Sequence, residues 1–283
     1  MPGGRSWIAI LLFTAGCGDR QPPAPPEAPR DDGLHNVLPV GDGLFSGSSP
    51  EGDAGFDSLQ SHGIRTIISV DGAPPDVAAA RARGMRYVHI PVGYGGITRD
   101  QAVLLCKAAT DLPGPIYVHC HHGKHRGPAA CALIRLARGG WSAADAVAFL
   151  KAAGTDPRYE GLYANARDFP TPTEAELRTC PSNFPERVDV GGLAARMVEI
   201  DELWDRIRTK PAVTDVVQLI EQYRECARLP DTSKMPFPHA EAAARDLERA
   251  LRTPDDASWK AAINRSAGLC TKCHHDFRDR PHR

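Results

Sequence analysis

The spacing of apolar residues in this chain changes once, near residue 170, and a single repeating architecture cannot produce that change. Ahead of it, short β-branched runs such as Arg65-Thr66-Ile67-Ile68-Ser69-Val70 alternate with helical segments that stop at Gly63, Gly84 and Gly139. Strands interleaved with helices predict an α/β domain with a parallel sheet flanked by helices, because a parallel neighbour needs a crossover long enough to hold a helix. The expected strands are Leu44–Gly47, Arg65–Val70, Tyr87–Ile90 and Pro115–His119, with helices near 56–62, 75–83, 99–110, 128–138, 142–153 and 159–168. Pro170-Thr171-Pro172-Thr173 and the run Cys180–Pro185 then mark a junction. Beyond it no strand is expected. Leu193–Ile207, Val213–Leu229, Ala240–Leu251 and Ala257–Phe277 carry apolar residues at helical intervals and predict an all-α, antiparallel four-helix bundle. Thr253-Pro254-Asp255-Asp256 supplies a start signal for the last of them. The expected division is 1–32 for a leader and linker, 33–180 for the α/β domain and 186–283 for the bundle, and 283 residues suit about two domains.

Arg5 precedes an apolar run from Trp7 to Phe13, followed by small residues and Cys17. The run is too short to span a bilayer but suits the core of a secretory signal. Thr14-Ala15-Gly16-Cys17 resembles a bacterial lipobox, departing from it at Thr14, where leucine is usual. That resemblance implies lipidation of Cys17 and an exported, periplasmic protein held to a membrane by its N-terminal lipid. Gln21–Pro29 is a polyproline spacer suited to holding the body off a surface. A formal net charge of −1 gives no bulk attraction for nucleic acid.

His119-Cys120-His121-His122-Gly123-Lys124-His125-Arg126 sets a thiol at the end of an apolar strand and an arginine six residues on, with Gly127-Pro128 opening a helix. A tight turn there, permitted by Gly123, aims backbone N–H groups and the positive helix end into one cup. Such a cup favours a thiolate and binds a tetrahedral dianion, for which Arg126 offers a bidentate fork. The candidate phosphate-binding residues are His121, His122, Gly123, Lys124, His125 and Arg126. Residues 33–169 resemble tyrosine and dual-specificity phosphatases, most closely over Val118–Ala130. The resemblance implies that Cys120 attacks phosphorus to form a cysteinyl-phosphate that water releases, with His119 orienting the loop. Two departures stand out. Gly127 replaces the serine or threonine that commonly follows the arginine, and Pro91–Ile97 lacks the general-acid aspartate. Asp100 is the nearest candidate acid and Asp71 the next. Without an acid, alkoxide expulsion is slow while aryl phosphates still turn over. His121, His122 and His125 are expected to point outward rather than to hold a metal.

Near the C-terminus, Cys270-Thr271-Lys272-Cys273-His274 has the CxxCH spacing that links two thiols to haem vinyl groups and brings the next imidazole to the iron. Trp259–Asn264 through Arg278 resembles the last helix of the cytochrome c′ family. The resemblance implies covalent haem c on Cys270 and Cys273, His274 as proximal ligand and a four-helix fold. It also implies a redox partner protein or a gas ligand, and a homodimer weakly. Met197, in the first bundle helix, is the candidate distal ligand, and its thioether would favour electron transfer over gas binding. The competing reading of the motif is a zinc site from Cys270, Cys273, His274 and His275, made awkward by the adjacent histidines. Cys180 and Cys226 either pair or stay free, and Cys106 and Cys131 read as buried. Two functions follow. One is a cysteine-dependent phosphatase fused to a haem domain for electron transfer or for redox or gas sensing. The other is a haem protein whose α/β domain only binds an oxyanion.

Overall fold

The computed structural model describes residues 32–229, 232–253 and 255–278, so Cys17 and the lipobox lie outside the described residues. Five strands form one sheet: β1 (Leu38–Gly41), β2 (Leu44–Ser48), β3 (Thr66–Ser69), β4 (Arg86–His89) and β5 (Ile116–Cys120), in the order β1-β2-β5-β3-β4. Four of them run parallel, whereas β1 pairs antiparallel with β2. The sheet is therefore mixed rather than wholly parallel. Asp42 and Gly43, both at positive φ, make a two-residue link that returns the chain along the edge without a crossover. Strand β5 is buried along its whole length between β2 and β3, which brings Cys120 out at the middle of the sheet's C-terminal edge.

Helices α1 (Gly52–Ser61), α2 (Val77–Ala82), α3 (Arg99–Asp111), α4 (Arg126–Ala137), α5 (Ala143–Ala152) and α6 (Glu160–Asp168) follow their strands or close the layer. In α4 every residue from Arg126 to Arg135 is buried, because it packs against β2 and β5 and is covered by α3, α5 and α6. A short α7 (Glu174–Thr179) forms where only a loop was expected; Thr173 and Glu176 cap each other reciprocally, and Arg99 holds Glu176 at 2.7 Å. The chain after α7 stays on the α/β domain: Phe184 enters its core and the Pro185 carbonyl accepts from the His89 N–H.

The bundle consists of α8 (Leu193–Thr209), α9 (Val213–Ala227), α10 (Phe237–Arg252) and α11 (Asp256–Cys273), and α11 runs on into a π-helical turn at His274–Arg278. Its core is built on Ile200, Leu203, Ile207, Leu219, Ile220 and Leu247. Asp255 caps α11 by accepting from the N–H groups of Ala257 and Ser258. Helix α9 serves both domains, with Val217 in the α/β core and Leu219, Ile220 and Tyr223 in the bundle core. Cys180 and Cys226 are free thiols, the second buried inside the bundle, and Cys106 and Cys131 are buried and free. No helix among the described residues is long and apolar enough to cross a membrane.

Candidate functional site

The loop from Cys120 to Arg126 starts from the central strand and ends as the first turn of α4. Gly123 turns it at φ 71°, pressed so closely on β2 that a Cβ would lie 2.5 Å from the Ser48 nitrogen. The backbone N–H groups of residues 121–125 donate to no acceptor among the described residues, leaving a ring of donors for an external anion. Gly127 sits against the loop's start, where a Cβ would stand 3.3 Å from the Cys120 nitrogen and 3.4 Å from Ser46 Oγ. Ser46 Oγ thus stands at ordinary contact distance from where a serine or threonine Cβ would sit. Gly123→Ala combines a left-handed backbone with a backbone clash, so we expect a loss of roughly 3 kcal/mol or more in chemical denaturation, with oxyanion affinity falling alongside.

Arg126 is 1 % exposed and Cys120 2 %. The guanidinium donates from Nη1 to the Val92 carbonyl at 3.3 Å and from Nη2 to Asp71 Oδ1 at 3.2 Å and Glu225 Oε1 at 2.8 Å. Its Nε has no partner among the described residues. Arg228 completes a cluster of two acids and two bases, bonding both Asp71 oxygens at 3.1 and 2.6 Å and Glu225 at 3.0 Å. Against the desolvation that opposes it, the charge of Arg126 and the bonds from Arg228 hold the Asp71 carboxyl well below the ordinary range. Asp71 therefore has no proton to give. In this arrangement its oxygens are held by Arg126 and Arg228. Asp100, in the first turn of α3, lines a separate cleft with Val103, Cys180 and Pro185 and is not brought to the loop. Where a carboxylate was sought, after β4, stands Tyr94, whose ring covers the Arg126 guanidinium at 4.2 Å.

The histidines divide. His122 is exposed, as is Lys124. His125, expected to point outward, instead packs its ring on Tyr159 at 4.6 Å and near Tyr94 at 6.3 Å. His119 lies beneath the loop, fully enclosed, with Nε2 2.7 Å from the Tyr87 hydroxyl, and burial lowers its pKa to about 4. Unfolded His119 takes up a proton near pH 6.5 that the folded chain refuses down to about 4. Its contribution is thus complete above pH 6.5 and lost as pH falls toward 4, on the order of 3 kcal/mol. Urea melts at pH 7 and 4.5 should show this slope, and His119→Gln should flatten it; an equal slope in the variant would assign the effect elsewhere.

In the bundle, Cys270, Cys273 and His274 share a cavity wall with Met197, Ile200 and Trp204 of α8. Phe237 and Leu269 continue the apolar lining, and Tyr223 accepts from Trp204 Nε1 at 3.0 Å. Helix α8 packs on α9 and α11 packs on α10, which leaves α8 and α11 facing each other across this cavity. The cavity measures about 60 Å³, well short of the volume of a macrocycle. Two thiols, an imidazole and a thioether line it among apolar side chains, the residue types a covalent haem takes, but among the described residues no three His, Cys, Asp or Glu side chains are grouped closely enough to hold a metal ion. His275 is exposed and paired with Asp276 at 3.0 Å.

No family model and no curated protein matches this chain. Among solved structures it is similar to TpbA of P. aeruginosa, at 17 % identity over 53 % of this chain and 97 % of that one, with a TM-score of 0.43. The core catalytic domain of the PP-IP phosphatase SIW14 from S. cerevisiae is 16 % identical over 59 % of this chain and 93 % of its own, with a TM-score of 0.37. Human DUSP28 is 21 % identical over 50 % and 97 %, also at 0.37. The functional reading rests on the loop geometry rather than on these likenesses.

Glu225, Arg228 and Tyr94 were missed in sequence reasoning. Tyr94 lay within the inspected loop, where only a carboxylate was sought.

Proposed function

We propose that the α/β domain hydrolyses phosphoesters through Cys120, and that it does so in an exported lipoprotein whose bundle carries haem c. The observation that supports the first part is the loop itself: Cys120 ends the central strand, Arg126 opens α4 with a buried Nε that has no partner, and the backbone N–H groups of residues 121–125 between them donate to no acceptor among the described residues. Cys120 Sγ attacks phosphorus as the bond to the leaving oxygen breaks, and that oxygen departs with the electron pair. Water then attacks phosphorus, the P–S bond breaks with its electron pair returning to sulfur as the thiolate, and inorganic phosphate leaves as dihydrogen phosphate carrying both of the water's protons. Loop N–H groups and Arg126 hold the non-bridging oxygens throughout, while Asp71 keeps the guanidinium aimed. With Tyr94 where a carboxylate would stand, aryl phosphates, whose leaving group needs little protonation, are the favoured substrates. Assay of the full chain on para-nitrophenyl phosphate, a phosphotyrosine peptide and a phosphoserine peptide tests this: turnover of the first two well above the third supports it, and none on any of them refutes it.

In the bundle, Cys270 and Cys273 would hold the haem by thioethers, and His274 and Met197 are the residues that would supply ligands to its iron. The bound group would supply one-electron transfer to a partner protein, or binding of a small gas ligand. The alternative, an oxyanion-binding haem protein without hydrolysis, is favoured by one observation, the ion pair of Glu225 on Arg126.

A further inference from the structure

The helical domain reaches into the phosphate cup. Glu225 projects from α9, is 7 % exposed, and takes one Nη2 bond of Arg126 at 2.8 Å while Asp71 takes the other. The side-on edge of a guanidinium consists of Nε–H and one Nη–H, the pair that grips two oxygens of a phosphoryl group. Here its Nε half is buried and unpaired, and both Nη2 protons are engaged by carboxylates. Asp71 belongs to the same domain as Arg126 and follows β3; Glu225 belongs to the appended bundle. The cleft beside Arg126 is walled on one side by Gly72 and Tyr94 and on the other by Arg196, Gln218 and Glu225. Cys120, at 2 % exposure, is closed to a phosphoester in this arrangement.

We propose that Glu225 is an intramolecular competitor for the phosphoryl group, a carboxylate that the bundle lays on Arg126 and that an incoming phosphoryl dianion must displace. The proposal rests on the reading of the Cys120 loop as a phosphoryl site. A carboxylate and a phosphoryl group both present oxygens to the same N–H donors, and with Asp71 and Glu225 already on Arg126 Nη2 a phosphoryl group gains that half of the edge only by displacing one of them. Arg228 receives the displaced charge, since it already bonds Glu225 at 3.0 Å and Asp71 on its other side. Helix α9 is therefore the wall that must shift for the cup to fill.

The test is the dissociation constant of inorganic phosphate for the full chain, by titration calorimetry, in the wild type, Glu225→Gln and Glu225→Ala. Removal of the competing charge should tighten phosphate binding roughly tenfold to a hundredfold, the equivalent of one charge-assisted hydrogen bond no longer to be broken. Unchanged or weaker binding in both variants overturns the proposal, because Glu225 would then merely position Arg126. Should either variant melt, Glu225→Asp retracts the carboxylate by one methylene while keeping a charge for Arg228, and the same tightening is expected. Tighter phosphate binding with no phosphoester turnover in any form upholds the competitor and refutes the hydrolase. Turnover with unchanged phosphate affinity does the reverse.

Discussion

Cys120→Ser should lower phosphoester turnover by roughly 10⁴-fold or more while leaving inorganic phosphate binding within a few-fold of wild type. The asymmetry follows from the division of labour in the cup. In the proposed reaction the N–H groups of residues 121–125 and the Arg126 guanidinium would hold the oxygens, and neither depends on the sulfur. The sulfur alone forms the covalent bond. A serine hydroxyl in its place needs a base to become a nucleophile, and the nearby carboxylate, Asp71, is committed to Arg126 and Arg228. Arg126→Ala should behave differently, losing binding and turnover together. Steady-state kinetics on para-nitrophenyl phosphate beside phosphate titration of each variant separates the two patterns. Turnover retained in Cys120→Ser would move the chemistry to another residue, and binding lost along with turnover would mean that the sulfur shapes the cup. Absorption of a haem-loaded bundle should be the same in both variants, because neither residue lines the Met197 cavity.

The loop was legible in the sequence because every part of it is local. A thiol at the end of an apolar strand, a glycine that permits the turn and an arginine at the start of a helix need no distant partner to be recognised. The β1–β2 hairpin was also written locally, in Asp42-Gly43, but the short run Leu38-Pro39-Val40, with a proline inside it, reads poorly as a strand, and the edge went unseen. The two candidate acids fell out in an order that distance along the chain could not predict. Asp100 follows the inspected loop closely, yet it starts α3 and is carried to another cleft. Asp71 is farther away in sequence, but it follows β3, the direct neighbour of β5, and so arrives beside Arg126. Glu225 was beyond any local signal. Its helix shows Leu219, Ile220 and Tyr223 as a bundle core, and a glutamate off that stripe reads as solvated until a second domain covers it.

Cys270→Ala combined with Cys273→Ala should remove covalent haem entirely and lower the stability of the bundle, with the α/β domain still folded. A chain matured with the c-type attachment machinery should keep its colour on a denaturing gel and give one haem per chain by pyridine haemochrome, and the double variant should give none. The stability change has a structural origin. Helix α9 packs on α8 and α10, and α10 on α11, but α8 and α11 meet only across the cavity lined by Met197, Trp204 and Cys270. That seam holds a cavity of about 60 Å³. A group packed between those helices in the folded chain and exposed in the unfolded one stabilises the fold, so the bundle of the double variant should melt below that of the loaded protein. Met197→Ala offers the complementary readout. It should leave the covalent attachment intact and shift the absorption spectrum if the thioether reaches the iron, while an unchanged spectrum would return Met197 to the apolar lining it shares with Ile200 and Trp204.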